Sequence, residues 1–430
     1  MTPIKFRKPL FFSVVLLAVV AAAAYLPKAD SAQKDAILMR TIVQFMSQLH
    51  YEPQNINDDF SEKFFDDYLE SIDGLKRYLT ESDVETLSAY KYELDDQVRN
   101  MDYTFFDESL EVLDAALKKT QGMYREVLAQ PFDFIINEEI EFDPDKRKYS
   151  KNDKELKDLW RRTLKYETMV RLNRKLKAQE EEDQGEEKEV KTFDELEQES
   201  REDVLKVFDS VYGTMFKLKR ENRRTVYFNS FLHLYDPHSD YFEPVQAQTF
   251  DMEMTGRLEG IGATLQNDGD YTKVVDIVPG GPAWKGKQLE KGDLITKVAQ
   301  GDDGEPEDIM GMLVSEVVQK IRGKKGTKVR LTVKKKDGTI KEIPIVRDII
   351  IFEEAYAKSV IMDGATEDEK VGYINLPKFY RDFQNRENRY STEDVAKELE
   401  KLKAENVNGI ILDLRNNGGG ALQDAVDLTG

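Results

Sequence analysis

Cysteine is absent from all 430 residues. That excludes disulfides, thiolate zinc sites, cysteine nucleophiles and an acylated N-terminal cysteine. Histidine is nearly absent, with only His50, His233 and His238. So little imidazole leaves scant material for a metal site, and no metal or cofactor is expected. Positive charge is in deficit: 63 Lys and Arg face 83 Asp and Glu, a net charge of -20. Such a field repels phosphates, whose binding depends on Lys and Arg displacing counterions, so nucleic acid is not an expected partner. The run Leu10 to Ala24 falls short of the ~20 apolar residues that a membrane span needs.

What is present begins with that run. Lys5, Arg7 and Lys8 precede it, and small residues follow through Ala32. Positive, then apolar, then small is the order of an export signal. Residues 1–32 are therefore expected to be a signal peptide and the location periplasmic, with an uncleaved membrane anchor as the alternative. Hydrophobic residues make up 40 % and charged residues 34 %, which suits a soluble chain of about three domains.

Over 33–245 the pattern is helical. Leu38, Ile42, Phe45, Met46 and Leu49 recur at spacings of three and four, as do Val204, Phe208, Val211, Met215 and Leu218; such stripes bury one face of a helix. Residues 177–199 are almost wholly charged or polar, which reads as a solvated helix or linker. Near Met252 glycine becomes frequent and short β-branched segments appear. Val329, Leu331 and Val333 alternate with polar residues, the period of a half-buried strand. Asp337-Gly338 then signals a hairpin into Ile340, Ile343 and Ile345. A helix is expected over about Ile309 to Arg322, making 250–347 a small α+β module. After Asp348 the grammar is βαβ: a strand over Val371 to Leu376, a helix over Thr392 to Glu405, and a strand over Gly409 to Leu414. Its uniformly apolar core, Ile410-Ile411-Leu412, predicts a central parallel strand.

That strand leads into Arg415-Asn416-Asn417-Gly418-Gly419-Gly420. Loops at the carboxyl ends of such strands build sites, and glycine lets backbone N–H groups approach a ligand closely. A nucleotide phosphate, a plain tight turn and an oxyanion hole all fit such a loop. The phosphate reading lacks both the Walker Lys and Gly-x-Gly-x-x-Gly; spacing does not decide between the other two. Asp236, His238 and Ser239 are triad residue types, but they are neighbours on one turn, where cap and turn roles are expected.

Three blocks carry a resemblance. Asp413-Leu414-Arg415-Asn416-Asn417-Gly418-Gly419-Gly420 resembles the Asp-Leu-Arg-x-Asn-x-Gly-Gly block of tail-specific (carboxy-terminal processing) proteases. Asp236-Pro237-His238-Ser239-Asp240-Tyr241 is similar to the segment that precedes that family's PDZ domain. Leu258-Glu259-Gly260-Ile261-Gly262-Ala263, with Pro279 to Ala283 and Lys291 to Ile295, resembles the PDZ signature and its carboxylate-binding loop.

The resemblance implies a multi-domain chain: an α-helical N-terminal domain at 33–245, an α+β PDZ domain at 250–347, and the truncated start of an α/β protease core at 348–430. It implies peptide binding by Leu258, Gly260, Ile261, Gly262, Ala263 and Leu265, with Val317 and Ile321 on the facing helix. Gly419 and Gly418 become oxyanion-hole candidates. The family's Ser nucleophile and Lys base lie C-terminal to the glycine block, so within these residues the chain is expected to be an inactive part of a serine endopeptidase. The expected partners are unstructured C-terminal tails of exported proteins and an adaptor protein. The rival from another class is a non-catalytic peptide-binding PDZ scaffold.

Overall fold

Thr192 opens a helix by accepting the Glu195 N–H while the Glu195 carboxylate accepts the Thr192 N–H, a reciprocal cap that satisfies two otherwise orphaned donors. The same device recurs at Thr80 and Asp83. In the computed structural model, which describes residues 31–182, 190–364, 366, 369–383, 385 and 388–430, such caps begin two of the eight helices that the described residues of the first unit form. These are α1 (Ser31–Leu49), α2 (Asp58–Asp73), α3 (Glu81–Ser88), α4 (Leu94–Asn100), α5 (Thr104–Leu128), α6 (Asp153–Glu182), α7 (Phe193–Lys217) and α8 (Arg220–His233). The expected export signal lies outside the described residues except for its last two, which open α1. The charged stretch 177–199 is helical at both ends, as the C-terminal turns of α6 and the start of α7; residues 183–189 lie outside the description.

An aromatic cluster fills this unit. Phe64, Phe105, Phe106, Tyr227 and Phe231 are fully buried, with Tyr227 stacked on Phe106 at 5.0 Å. Trp160, Tyr124 and Tyr212 form its other end. Burying each such side chain contributes about 1.5–3 kcal/mol. The α7 stripe faces this core through Val204, Phe208, Tyr212 and Met215. Val211 is instead 40 % exposed, because the larger Tyr212, eight residues after Val204, takes the inward position.

The second unit runs from Phe242 to Gly430. Helix α9 (Pro244–Thr255) ends at Gly256, whose φ of +66° makes a left-handed stop. Strand β1 (Arg257–Gly260) pairs antiparallel with β8 (Asp348–Ile351) as a two-stranded ribbon. Between them lie β2 (Ala263–Asp268), β3 (Tyr271–Ile277), α10 (Pro282–Gly286), β4 (Leu294–Gln300), β5 (Glu307–Asp308), α11 (Val314–Ile321), β6 (Lys328–Lys334) and β7 (Ile340–Val346). The sheet order is β2-β3-β4-β6-β7, with β5 beside β4. Val274, Ile295, Val317, Val329, Leu331 and Val333 are fully buried at its centre. The alternation expected of β6 is observed: Val329, Leu331 and Val333 point inward. Helix α11 begins five residues later than the sequence predicts, because Gly311 sits at φ +75°, outside the right-handed helical region.

The remaining elements are β9 (Lys358–Asp363), β10 (Lys370–Asn375), α12 (Ser391–Ala404), β11 (Gly409–Asp413) and α13 (Leu422–Thr429). β10 and β11 are parallel, joined by α12 as the sequence predicts, and β9 adds antiparallel on the other side of β10. Leu402 packs against Gly372, where a Cβ would stand 2.7 Å from its Cδ1. Among the described residues β11 is an edge strand, with Ile410 and Ile411 each 47 % exposed. The fold is thus a helical N-terminal region, a PDZ-like sheet module and the start of an α/β protease core. No helix among the described residues is long and apolar enough to cross a membrane.

Candidate functional site

The glycine loop leaves β11 at a fixed angle because its last strand residue is anchored. Asp413 accepts the Arg415 N–H and Nε–H at 2.9 Å, the Arg415 Nη2 at 2.8 Å, and the Tyr373 hydroxyl from β10. These donors, Arg415 foremost, hold its carboxyl well below the usual carboxylate range. Beyond it, Gly419 and Gly420 adopt φ of +104° and +145°, which side-chain-bearing residues avoid. A Cβ on Gly420 would lie 2.2 Å from the Phe379 carbonyl oxygen.

Two contacts clamp the loop to the segment that follows β10. The Asn417 side chain donates through Nδ2 to the Leu376 carbonyl at 2.9 Å and accepts the Gly419 N–H at 2.8 Å. Phe379 donates to the Gly419 carbonyl at 3.0 Å and accepts from the Ala421 N–H at 2.8 Å. Of the two predicted oxyanion donors, Gly419 therefore has its N–H engaged by a side chain. Gly418 is exposed and its N–H has no acceptor among the described residues.

The second glycine-rich loop joins β1 to β2. Leu258 and Gly260 lie within β1, in register with Ile350 and Asp348. Gly262 takes φ +74°, and an added Cβ would press on Ile350 at 3.3 Å. The Ile261 carbonyl accepts the Ala283 N–H at 2.8 Å and the Gly262 carbonyl accepts the Val278 N–H at 2.9 Å. A trans peptide carries its C=O and N–H on opposite sides, so the N–H groups of Gly262 and Ala263 point away from those partners. The loop is held by its carbonyls.

Beside those donors, among the described residues, β2 pairs only with β3 and its other edge carries no strand, with α11 packed nearby. Ile261, Val317 and Ile321 are buried in the core beneath, while Ala263 and Leu265 are half-buried. On α11, Val314 and Val318 share that half-buried state, so the helix turns these toward the surface while Val317 and Ile321 support it from within. Sequence reasoning missed both, because the phase of a single eight-residue helix is set by the sheet beneath it.

Reasoning from the chain also missed Arg322, the residue after α11. Its Cγ lies 3.9 Å from where a Gly260 Cβ would stand, and its Nη1 donates to Thr249 Oγ1 at 3.4 Å. Burial lowers its pKa from the ordinary guanidinium value. A cavity of about 320 Å³ opens here, lined by Arg257, Leu258, Glu259, Arg322 and Lys324 among others. A desolvated guanidinium suits a carboxylate.

In the helical unit, the Asp236 carboxylate accepts the His238 N–H at 2.8 Å, the Ser239 hydroxyl at 2.5 Å and His50 Nε2 at 2.9 Å. Ser239 and His50 thus converge on one carboxylate oxygen. In a catalytic triad the imidazole stands between hydroxyl and carboxylate, so this arrangement fixes a turn and activates nothing.

Known proteins align along the whole of this architecture. Residues 42–245 match the family profile "Tail specific protease N-terminal domain", residues 249–334 "PDZ domain" and residues 370–430 "Peptidase family S41". A tail-specific protease of Haemophilus influenzae is 32 % identical over 391 residues, 90 % of this chain and 51 % of the relative. The carboxy-terminal processing protease CtpA of Bacillus subtilis is 32 % identical over 198 residues, 45 % of this chain and 37 % of its own length. Among solved structures, the PDZ domain of a carboxy-terminal protease from Vibrio cholerae is 46 % identical, covering 22 % of this chain and 97 % of that one at a TM-score of 0.21. The chain spans about half the length of the Haemophilus relative. With all three profiles in order along it, the chain belongs to the tail-specific (carboxy-terminal processing) protease family, whose PDZ domain and S41 peptidase segment it carries.

Proposed function

We propose that this chain is the tail-capturing part of an exported, periplasmic serine endopeptidase. The observation that carries the reading is the β1–β2 loop. Its carbonyls are spent on Ala283 and Val278, its Gly262 and Ala263 N–H groups point away from those partners, and a strand edge with no pairing among the described residues begins at the same point. A terminal carboxylate fits those donors while the preceding residues add to β2 as an extra strand. Arg322 supplies the nearby positive charge. Captured chains would be unstructured C-terminal tails of exported proteins, since a folded terminus cannot lie along a strand edge.

The loop Arg415–Gly420 forms one wall of the protease site; of the two oxyanion candidates, Gly418 has an unspent N–H among the described residues, while that of Gly419 is held by Asn417. The Ser and Lys of the family lie C-terminal to this block, so the 430 residues alone are expected not to hydrolyse peptides. Cleavage of a peptide with an apolar free C terminus by the purified chain would contradict that expectation. Capture is tested by calorimetric titration with one peptide in free-acid and amidated forms. The free acid should bind about tenfold or more tighter, the effect of roughly one charge-assisted hydrogen bond. Equal affinities would end the reading.

A further inference from the structure

We infer that the start of α6 and the loop before it form a binding site, within the helical unit, for a small diphosphate-bearing ligand. Residues 129–152 join α5 to α6 with no helix or strand of their own. A connection of that length inside a compact unit is uncommon and is often a binding loop. A cavity of about 760 Å³ opens beside it, lined by the cations Lys146, Arg147, Lys148, Lys151, Lys154 and Arg162. In a chain of net charge -20, the local sign is reversed. Lys148, Lys151 and Lys154 are exposed and make no ion pair among the described residues. Arg147 gives Nη1 to the Leu75 carbonyl at 2.8 Å and its remaining donors to the Glu141 carbonyl, so no carboxylate contacts it. Burial, then neighbouring Arg77, lowers its pKa from the ordinary guanidinium value. Acids also line the cavity, but Asp158 is committed to Arg161 and Arg162, Glu155 to the Lys151 N–H and Glu141 to the Asp143 N–H. Glu81 is left as one opposing charge.

Ser150 is an independent sign of a ligand. It lines the same cavity and is 8 % exposed. Its carbonyl is spent on the Glu81 N–H at 2.9 Å, while its hydroxyl has no partner among the described residues. A buried hydroxyl without a partner is rare and calls for a ligand or a water. The loop is also fixed in advance: Lys76 Nζ donates to the Pro144 and Arg147 carbonyls at 2.9 and 2.7 Å, tying it to the segment after α2. The donor types select phosphate over carboxylate. A guanidinium fork matches a planar carboxylate, whereas lysine acts as a point charge toward phosphate. Here both forks are committed, that of Arg147 to carbonyls and that of Arg162 to Asp158 and the Glu139 carbonyl. Three ammonium groups and a hydroxyl remain, donors with no planar constraint. Three positive charges exceed the roughly two negative charges of one phosphate, so two linked phosphates match the site better.

Calorimetric titration of the 430-residue chain with inorganic pyrophosphate tests the site, in metal-free buffer at about 0.15 M salt, where charges beyond about 8 Å are screened. Pyrophosphate should bind at a single site, about tenfold or more tighter than succinate, a dicarboxylate. Replacing Lys148, Lys151 and Lys154 together by Gln should weaken it at least about tenfold. The same charge removed at Lys63, Lys118 and Lys177, exposed lysines of the same unit outside the cavity, should change the affinity less than about twofold. Ser150→Ala should weaken binding about fivefold, the loss of roughly one neutral hydrogen bond. Its melting temperature should not change, because the hydroxyl has no partner to lose. ADP, whose diphosphate is esterified, identifies the source: tighter binding than pyrophosphate assigns an ester, weaker binding the free ion. Succinate binding as tightly as pyrophosphate, equal losses in the two lysine triples, full affinity in Ser150→Ala, or no binding of either diphosphate would each overturn the inference.

Discussion

Asp236 ties the turn after α8 to the end of α1 through His50, which lies 186 residues away in sequence. Donation from Ser239, then His50 and the His238 N–H, lowers the Asp236 carboxyl to about 2 from 3.8. The hydrogen bond to Asp236 in turn raises the His50 imidazole above 6.5. The depressed carboxyl contributes stability that is present above its unfolded value of 3.8 and lost as pH falls through about 2. The raised imidazole contributes stability that is complete below 6.5 and lost as pH rises through its folded value. The tie is therefore strongest between these limits. Asp236→Asn should lower the melting temperature of the helical unit more at about pH 5 than at about pH 8; an equal loss at both would show that the charge pairing contributes nothing. The turn was legible in the sequence as Asp-Pro-His-Ser, whereas His50 was not, because no local pattern announces a partner from another helix. The same limit hid Arg322, which meets Gly260 only once α11 has packed against β2.

At the scale of elements, the sheet of the PDZ module has two edges unpaired among the described residues, and they differ chemically. β7 carries Pro344 opposite Arg330. A proline cannot donate to the ladder, so the bare nitrogen faces outward and blocks a further strand there. β2 carries no such guard, which directs an incoming peptide to it. Pro344→Thr should restore a donor to the β7 edge and promote self-association, visible as a concentration-dependent rise in light scattering; unchanged scattering would show that the edge is protected otherwise. Ile321, 3 % exposed under α11, holds that helix on the sheet. Ile321→Ala should cost about 2–5 kcal/mol of the module's stability and weaken tail binding, measured by denaturant unfolding and titration. The strand β6 and the Asp337-Gly338 turn were readable because period two and a positive-φ pair are local signals. The start of α11 and the facing of α7 were not, since Gly311 and Tyr212 act through conformation and packing.

For the whole molecule, family and domain order were legible from three sequence blocks, because each encodes a backbone geometry that few residues satisfy. The apolar strand β11 was read as central, and its composition is that of one. Among the described residues, however, its outer edge is unpaired and Ile410, Ile411, Leu412 and Leu414 are all more than a third exposed. An open, apolar strand edge invites association. The 430-residue chain should bind a hydrophobic dye, and Ile411→Lys should reduce both dye fluorescence and aggregation; a chain that stays monomeric and dye-silent would contradict this.

The central claim is that a C-terminal tail is captured by the loop between β1 and β2. A crystal structure of the chain with a bound peptide tests it most directly. The account predicts the peptide paired with the free edge of β2, its terminal carboxylate within hydrogen-bond distance of the Gly262 and Ala263 N–H groups, and Arg322 alongside. A peptide seated on the β7 edge, or lying at β2 with its carboxylate turned away from that loop, would contradict it.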